Sequence, residues 1–298
     1  MKDISYHKPI TLEEALTLKR ELGPGAHYIS GGTDVMVLRR QRKLDPTALI
    51  SLLHVGGLAG LRWEGEVLRL GAATTLCDIL ADRGLHERLP ALTDAVRVMG
   101  STQMRNVATM GGNVMSAAPS GDTLCPLLCL GASCRLVGEE GERLVPLDEF
   151  FVGPRQNAAR PEEILTELVV PLPGPRSSGA FIKLTRRAAL DLALLNMAVQ
   201  LWLSPDGARL EKARVAAGVV APTPLRLCGA EEALTGQPAT TATLERAAQA
   251  IGGECSPRDS HRCSAWYREE MLRVLLVRAA STALARLGLD FALSGPEI

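Results

Sequence analysis

Apolar and polar positions recur along this chain in short, separable patterns. Thr11-Leu-Glu-Glu14 has the spacing of a capping box, and the apolar residues after it predict a helix over 12–22. Gly23-Pro24-Gly25 ends that helix. Residues 27–29 read as a short strand, 33–42 as a helix with a basic end, and 48–52 as a second strand. Residues 67–71 alternate with a period of two, as a half-buried strand does, and Thr74 or Thr75 stands where a cap for the next short helix belongs. A helix is expected over 87–98, entered near Pro90. Residues 133–137 and 143–146 flank Glu139-Glu140-Gly141 as the arms of a hairpin, and 164–170 form a further strand. Pro171, Pro173, Gly174 and Pro175, followed by Ser177-Ser178-Gly179, read as a linker between domains. Beyond it, 181–185, 196–203 and 212–218 predict a small antiparallel sheet, and 230–234, 244–251 and 265–287 predict helices. In the last of these, Met271, Leu272, Leu275, Leu276 and Ala279 recur at helical spacing.

Two segments break this pattern with paired glycines. One is Ile29-Ser-Gly-Gly-Thr-Asp-Val-Met36, the other Ala108-Thr-Met-Gly-Gly-Asn-Val-Met-Ser-Ala-Ala-Pro-Ser-Gly-Asp122. Adjacent glycines permit positive φ and close approach to a ligand, and their N–H groups form an anion site. Two such loops have the capacity to hold the two phosphates of one dinucleotide. The strand–turn–helix–strand order around the first places it where phosphate loops sit. The G-x-G-x-x-G spacing is missing, so a Rossmann assignment is not supported.

Composition narrows the function classes. The 298 residues suffice for two modest domains, and 46% hydrophobic with 22% charged content is an ordinary globular balance. Lys+Arg and Asp+Glu both number 33, so no global charge argues for nucleic acid or a membrane surface. Lys2, Asp3, Glu13 and Glu14 interrupt any signal-peptide pattern, and the apolar stretch 190–203 carries Asp191, Asn196 and Gln200, too polar and too short to span a bilayer. A cytoplasmic protein is expected. The 7 cysteines are odd in number, and Cys125, Cys129 and Cys134 fit neither zinc-ribbon nor ferredoxin spacing, so core packing is expected and no metal. The 5 histidines show no metal-ligand spacing, and no catalytic residue is assigned.

Gly31-Gly32-Thr33-Asp34, Gly71-Ala-Ala-Thr-Thr75 and Arg105-Asn-Val-Ala-Thr-Met-Gly-Gly-Asn113 resemble the FAD-binding medium subunit of the molybdenum hydroxylase family, as in bacterial xanthine, carbon-monoxide and nicotinate dehydrogenases. The likeness continues through Lys183-Leu-Thr-Arg-Arg187, Asp191, Gly218-Val-Val-Ala-Pro-Thr-Pro-Leu-Arg226 and Ala265-Trp-Tyr-Arg268. It implies an α+β fold, with a two-subdomain FAD-binding domain of the vanillyl-alcohol-oxidase/PCMH type over 1–173, split near 55, and a C-terminal domain over 178–290. It implies non-covalent FAD, with the molybdenum cofactor and [2Fe-2S] clusters in partner subunits, and an acceptor such as NAD.

By the same resemblance, the segment from Ile29 and Ser30 through Gly31, Gly32, Thr33, Asp34, Val35 and Met36 lies on the pyrophosphate; Asp34, as an anion a poor direct partner for phosphate, is expected to cap the following helix. Thr109, Gly111, Gly112 and Asn113 approach the cofactor from a second loop, and Thr74 and Thr75 contact phosphate or ring or cap a helix. Asp122 binds sugar hydroxyls, Leu165 lies near the adenine, Lys183 lies near the ring, and Leu192 stands where some relatives carry a tyrosine over the ring. Two alternatives stay open: an independent FAD-dependent oxidase or reductase on the same fold, and a flavin-free assembly protein.

Overall fold

In the computed structural model, residues 3–289 are described, and the chain forms two compact units. The first runs to Ala81 and adds Gly100–Ala117 and Ala132–Pro171. The second takes Asp82–Met99, Ala118–Gly131 and the chain from Leu172 onward. No change of composition marks the two early excursions.

The first unit opens with three parallel strands, β1 (Ser5–His7), β2 (Ala26–Ile29) and β3 (Ala48–Ser51), ordered β1-β3-β2. The central strand β3 is buried throughout and packs on the helix Leu12–Leu22. That helix starts where its capping signal places it. Thr11 Oγ1 accepts from the Glu14 N–H at 3.1 Å, while the Glu14 carboxylate accepts from Ile10 N–H at 2.8 Å, one residue before the cap. The next helix is shorter than expected, Val35–Arg40 instead of 33–42. Left-handed residues bracket it, Gly32 at φ +71 and Arg42 at φ +57.

A five-stranded antiparallel sheet completes this unit. It comprises β4 (Leu61–Glu64), β5 (Val67–Gly71), β6 (Ser133–Gly138), β7 (Gly141–Pro146) and, after the small hairpin of β8 (Phe151–Gly153) and β9 (Gln156–Asn157), β10 (Ile164–Pro171). The order is β4-β5-β10-β6-β7. Leu68, Leu70, Leu136 and Leu168 are fully buried. Glu167 of β10 gathers three guanidinium groups, from Arg62 at 2.6 Å, Arg69 at 2.6 Å and Arg135 at 2.9 Å, drawn from three different strands.

The second unit is built on the antiparallel sheet β11 (Ser177–Leu184), β12 (Leu195–Leu203), β13 (Leu210–Gly218) and β14 (Leu225–Arg226), in that order. Leu195, Met197, Val199 and Leu201 point to one face and share a core with the helices Cys228–Leu234, Thr241–Ala250 and Ala265–Ala285. The helices Pro90–Arg97 and Leu124–Leu130 also pack on this sheet. The helix expected over 87–98 is two, Arg83–Arg88 and Pro90–Arg97. Pro90 brings no N–H and restricts Leu89, which sits at φ −132. Among the described residues no helix is long and apolar enough to cross a membrane.

The Glu167 hub yields a stability prediction. Glu167→Gln removes the charge that three arginines share, and should lower unfolding free energy by about 2 kcal/mol. Urea denaturation measures it, and a midpoint equal to the wild type would show that Glu64, which also pairs with Arg62 and Arg69, and Glu142, which pairs with Arg135, suffice as partners.

Candidate functional site

The two glycine segments differ in one physical respect. In the first, Ile29 ends β2 and Gly32 turns the chain at φ +71. The carbonyls of Gly32 and Asp34 accept from Met36 N–H at 3.0 Å and Leu38 N–H at 2.9 Å, which starts the helix Val35–Arg40. The N–H groups of Gly31, Gly32, Thr33, Asp34 and Val35, by contrast, find no acceptor among the described residues. A run of unengaged donors around a left-handed residue forms a concave nest that suits an anion.

The second segment is a helix where a loop was expected. Met110–Ser116 is helical, and Thr109 caps it. All four donors of its first turn are engaged within the protein. Met110 N–H donates to Thr74 O at 3.0 Å, Gly111 N–H to Ala72 O at 2.8 Å, Gly112 N–H to Thr109 Oγ1 at 3.2 Å and Asn113 N–H to Thr109 O at 3.1 Å. Neither Gly111 nor Gly112 has positive φ. The expectation of positive φ and offered N–H groups is therefore corrected for this segment. Its glycines serve close packing instead: a Cβ on Gly111 would lie 2.5 Å from Ala72 Cβ, and one on Gly112 would meet only Thr109 Oγ1, at 2.9 Å. Gly112 is exposed, so its outward side is bare backbone.

The two segments meet. A Cβ on Gly31 would fall 1.8 Å from the Val107 carbonyl oxygen, so only glycine passes there. Beside it, Thr109 Oγ1 donates to Ser30 Oγ at 3.1 Å. Thr75 caps the helix Leu76–Ala81, its Oγ1 accepting from Asp78 N–H at 3.1 Å. Thr74 is buried, and its hydroxyl accepts from Gly60 N–H at 2.9 Å and donates to Gly60 O at 3.1 Å. Leu165 is buried on β10.

Asp34 holds the cap position of Val35–Arg40 but makes no capping bond, which corrects the role expected for it. Its carboxylate turns instead to Ser116 Oγ, which donates at 2.7 Å, and to the Arg155 guanidinium at 3.7 Å. Ser116 and Arg155 were not singled out in the sequence, because their signal is spatial.

In the second unit, Asp122 and Lys183 form a buried ion pair, Nζ to Oδ2 at 2.7 Å, with each side chain 6% exposed. Asn196 Nδ2 donates to the other carboxylate oxygen at 3.3 Å, and Cys125 Sγ donates to Asn196 Oδ1 at 3.2 Å. Burial pushes the Asp122 carboxyl above its ordinary value, and the Lys183 ammonium and the Asn196 amide pull it back only in part. Asn196 and Gln200 are both buried amides on the otherwise apolar β12, and the sequence marks them as polar interruptions without showing that Asn196 meets Asp122. Burial likewise raises the thiols of Cys125 and Cys129, and pushes Cys134 up to about 12. Among the described residues, no cluster of three His, Cys, Asp or Glu is placed to hold a metal. Asp191 closes its own loop: burial favours its protonated form, but the N–H groups of Arg186 and Leu192 at 3.0 Å and the Arg187 guanidinium hold its pKa below the usual value. Leu192 is exposed at 50% beside it.

The Asp122–Lys183 pair sets a pH test. Lys183→Met leaves a buried carboxylate without its cation and should cost about 3 kcal/mol at neutral pH. The folded-state pKa of Asp122 is raised, so the folded chain binds that proton more tightly than the unfolded one. The variant's stability is then highest below the ordinary carboxylate range and falls as pH rises through the raised pKa. Urea titrations between about pH 4 and about pH 8 measure this; a deficit that does not shrink on acidification would contradict it.

Residues 2–173 match the family described as FAD binding domain in molybdopterin dehydrogenase, and 180–283 match the CO dehydrogenase flavoprotein C-terminal domain. The xanthine dehydrogenase FAD-binding subunit of Escherichia coli O157:H7 is 31% identical over 287 residues, covering 95% of this chain and 97% of that protein. The carbon monoxide dehydrogenase medium chain of Hydrogenophaga pseudoflava is 31% identical over 281 residues, 94% of this chain and 97% of that one. A solved carbon monoxide dehydrogenase from Hydrogenophaga pseudoflava, lacking the Mo-pyranopterin moiety, superposes with a TM-score of 0.91 at 32% identity, over 96% of this chain and 98% of its own. Quinoline 2-oxidoreductase from Pseudomonas putida 86 gives 0.89 at 25% identity, over 96% of this chain and 99% of its own. With the family model covering more than half the chain and relatives at this identity along its length, the protein belongs to the FAD-binding oxidoreductase subunits of the molybdopterin dehydrogenase family.

Proposed function

We propose that this chain is the FAD-carrying electron-transfer subunit of a molybdenum hydroxylase assembly, receiving electrons from [2Fe-2S] clusters of a partner subunit and passing them to an acceptor such as NAD. The observation that carries this reading is the nest of unengaged N–H groups over Gly31–Val35, set in a chain of which 95% aligns with a xanthine dehydrogenase FAD-binding subunit. Those donors fit a diphosphate: they are several, preorganised and uncharged, and they need an acceptor that the chain does not supply. FAD, when bound, links one-electron carriers to a two-electron acceptor.

The chain's own residues divide the work. Gly31 through Val35 hold phosphate oxygens through the backbone, and Ile29 and Met36 flank that turn. Ser30, oriented by Thr109, turns its hydroxyl toward the ligand. Gly112 lets ligand atoms come against bare backbone, and Asn113 lies beside it, its side-chain amide being both a donor and an acceptor in kind. Thr74 and Thr75, each engaged within the protein, shape the wall, and Leu165 adds apolar surface. In the second unit, Asp122, Lys183 and Leu192 are read as flavin contacts. Because Asp122 balances the charge of Lys183, that lysine acts as an N–H donor more than as a free cation. The domain division 1–173 and 178–290, a cytoplasmic location and an assembly of three kinds of subunit complete the proposal.

Two outcomes test it. Acid precipitation of the purified full-length chain should release FAD in equimolar amount, and a colourless supernatant would contradict the reading. Gly32→Val places a β-branched residue at φ +71 and displaces the donors around it. It should weaken FAD binding by about tenfold or more, with far-ultraviolet circular dichroism unchanged. Full FAD retention in a folded variant would remove the first loop from the site.

A further inference from the structure

We propose that Arg155 is a phosphate-recognition residue, bridging Asp34 and the diphosphate of the bound dinucleotide and so favouring FAD over flavins without phosphate. This rests on the flavin reading above and deepens it.

Asp34 is the one ionisable side chain in the nest of unengaged donors, and it is an anion. A diphosphate there would place further negative charge beside that carboxylate, which is unfavourable unless a cation stands between them. The Arg155 guanidinium lies 3.7 Å from the Asp34 carboxylate, and its side chain is 51% exposed. An exposed ion pair at that distance is weak, so the guanidinium can add a second acceptor at little loss. Its planar fork suits two oxygen acceptors at once, one from a carboxylate and one from a phosphate.

The backbone supports the same reading. Arg155 occupies the second corner of the turn between β8 and β9, following Pro154, at φ +57. That corner favours glycine. Its N–H donates at 3.0 Å to the carbonyl of Ala117, itself left-handed at φ +45. Two residues on, in β9, Asn157 Nδ2 donates at 2.8 Å to Met115 O. The hairpin is therefore clamped onto the end of the helix Met110–Ser116, and the arginine is held in a strained backbone conformation. Strain kept at a clamped position next to a ligand loop is the pattern of a functional residue.

The test uses the purified full-length chain stripped of flavin. FAD and riboflavin dissociation constants are measured by fluorescence quenching at low and high salt, for the wild type, Arg155→Gly and Arg155→Lys. Glycine relieves the left-handed strain, so the thermal midpoint of Arg155→Gly should not fall. The expected result is FAD affinity weakened about fivefold to tenfold in Arg155→Gly, riboflavin affinity unchanged, and a flatter salt dependence for FAD. Arg155→Lys should keep most of the FAD affinity. Equal weakening of both flavins, or unchanged FAD affinity, would overturn the assignment. Absence of FAD binding by the wild type would overturn the flavin reading itself, and the two failures are distinguished by that control.

Discussion

The site depends on one close approach, the passage of Gly31 beneath the Val107 carbonyl. A Cβ at Gly31 would lie 1.8 Å from that oxygen, a distance no side chain tolerates. The absence of a side chain lets Ser30 meet Thr109, whose hydroxyl also caps the helix Met110–Ser116. Gly111 repeats the device against Ala72. Through these contacts one segment becomes a hydrogen-bonded buttress with every donor of its first turn engaged. The other keeps a run of donors open. Two similar glycine pairs thus have opposite roles, and backbone hydrogen bonding, not composition, separates them.

The second unit solves a different problem, the burial of charge. Asp122, Lys183, Asn196 and Cys125 form one hydrogen-bonded chain across the sheet β11–β12 and the start of the helix Leu124–Leu130. Burial of a lone carboxylate would be costly, and the lysine and the amide compensate both oxygens. Cysteine at position 125 serves here as a small core residue with a weak donor, and burial holds it and Cys129 as thiols.

Much of this was legible in the sequence where local rules dominate. The capping box at Thr11, the alternation of 67–71 and the turn at Glu139-Glu140 give elements that the structure shows with nearly the same bounds. Where tertiary context decides, the reading fell short. Thr109-Met-Gly-Gly-Asn113 reads as a ligand loop because paired glycines disfavour helix and permit positive φ, yet the Thr109 cap and the contact with Ala72 hold it helical. Asp34 reads as a cap by position, but Ser116 and Arg155 arrive from distant sequence and draw it away. The buried pairing of Lys183 was invisible for the same reason, since a lysine on an amphipathic strand looks solvated until its partner is located.

The first loop offers its donors and the second does not. Amide hydrogen exchange of the full-length chain with and without FAD measures this residue by residue. FAD should slow exchange at Gly31, Gly32, Thr33, Asp34 and Val35, and leave Met110 and Gly111, already protected by Thr74 and Ala72, almost unchanged. Protection gained at Met110 and Gly111 with none at 31–35 would contradict it.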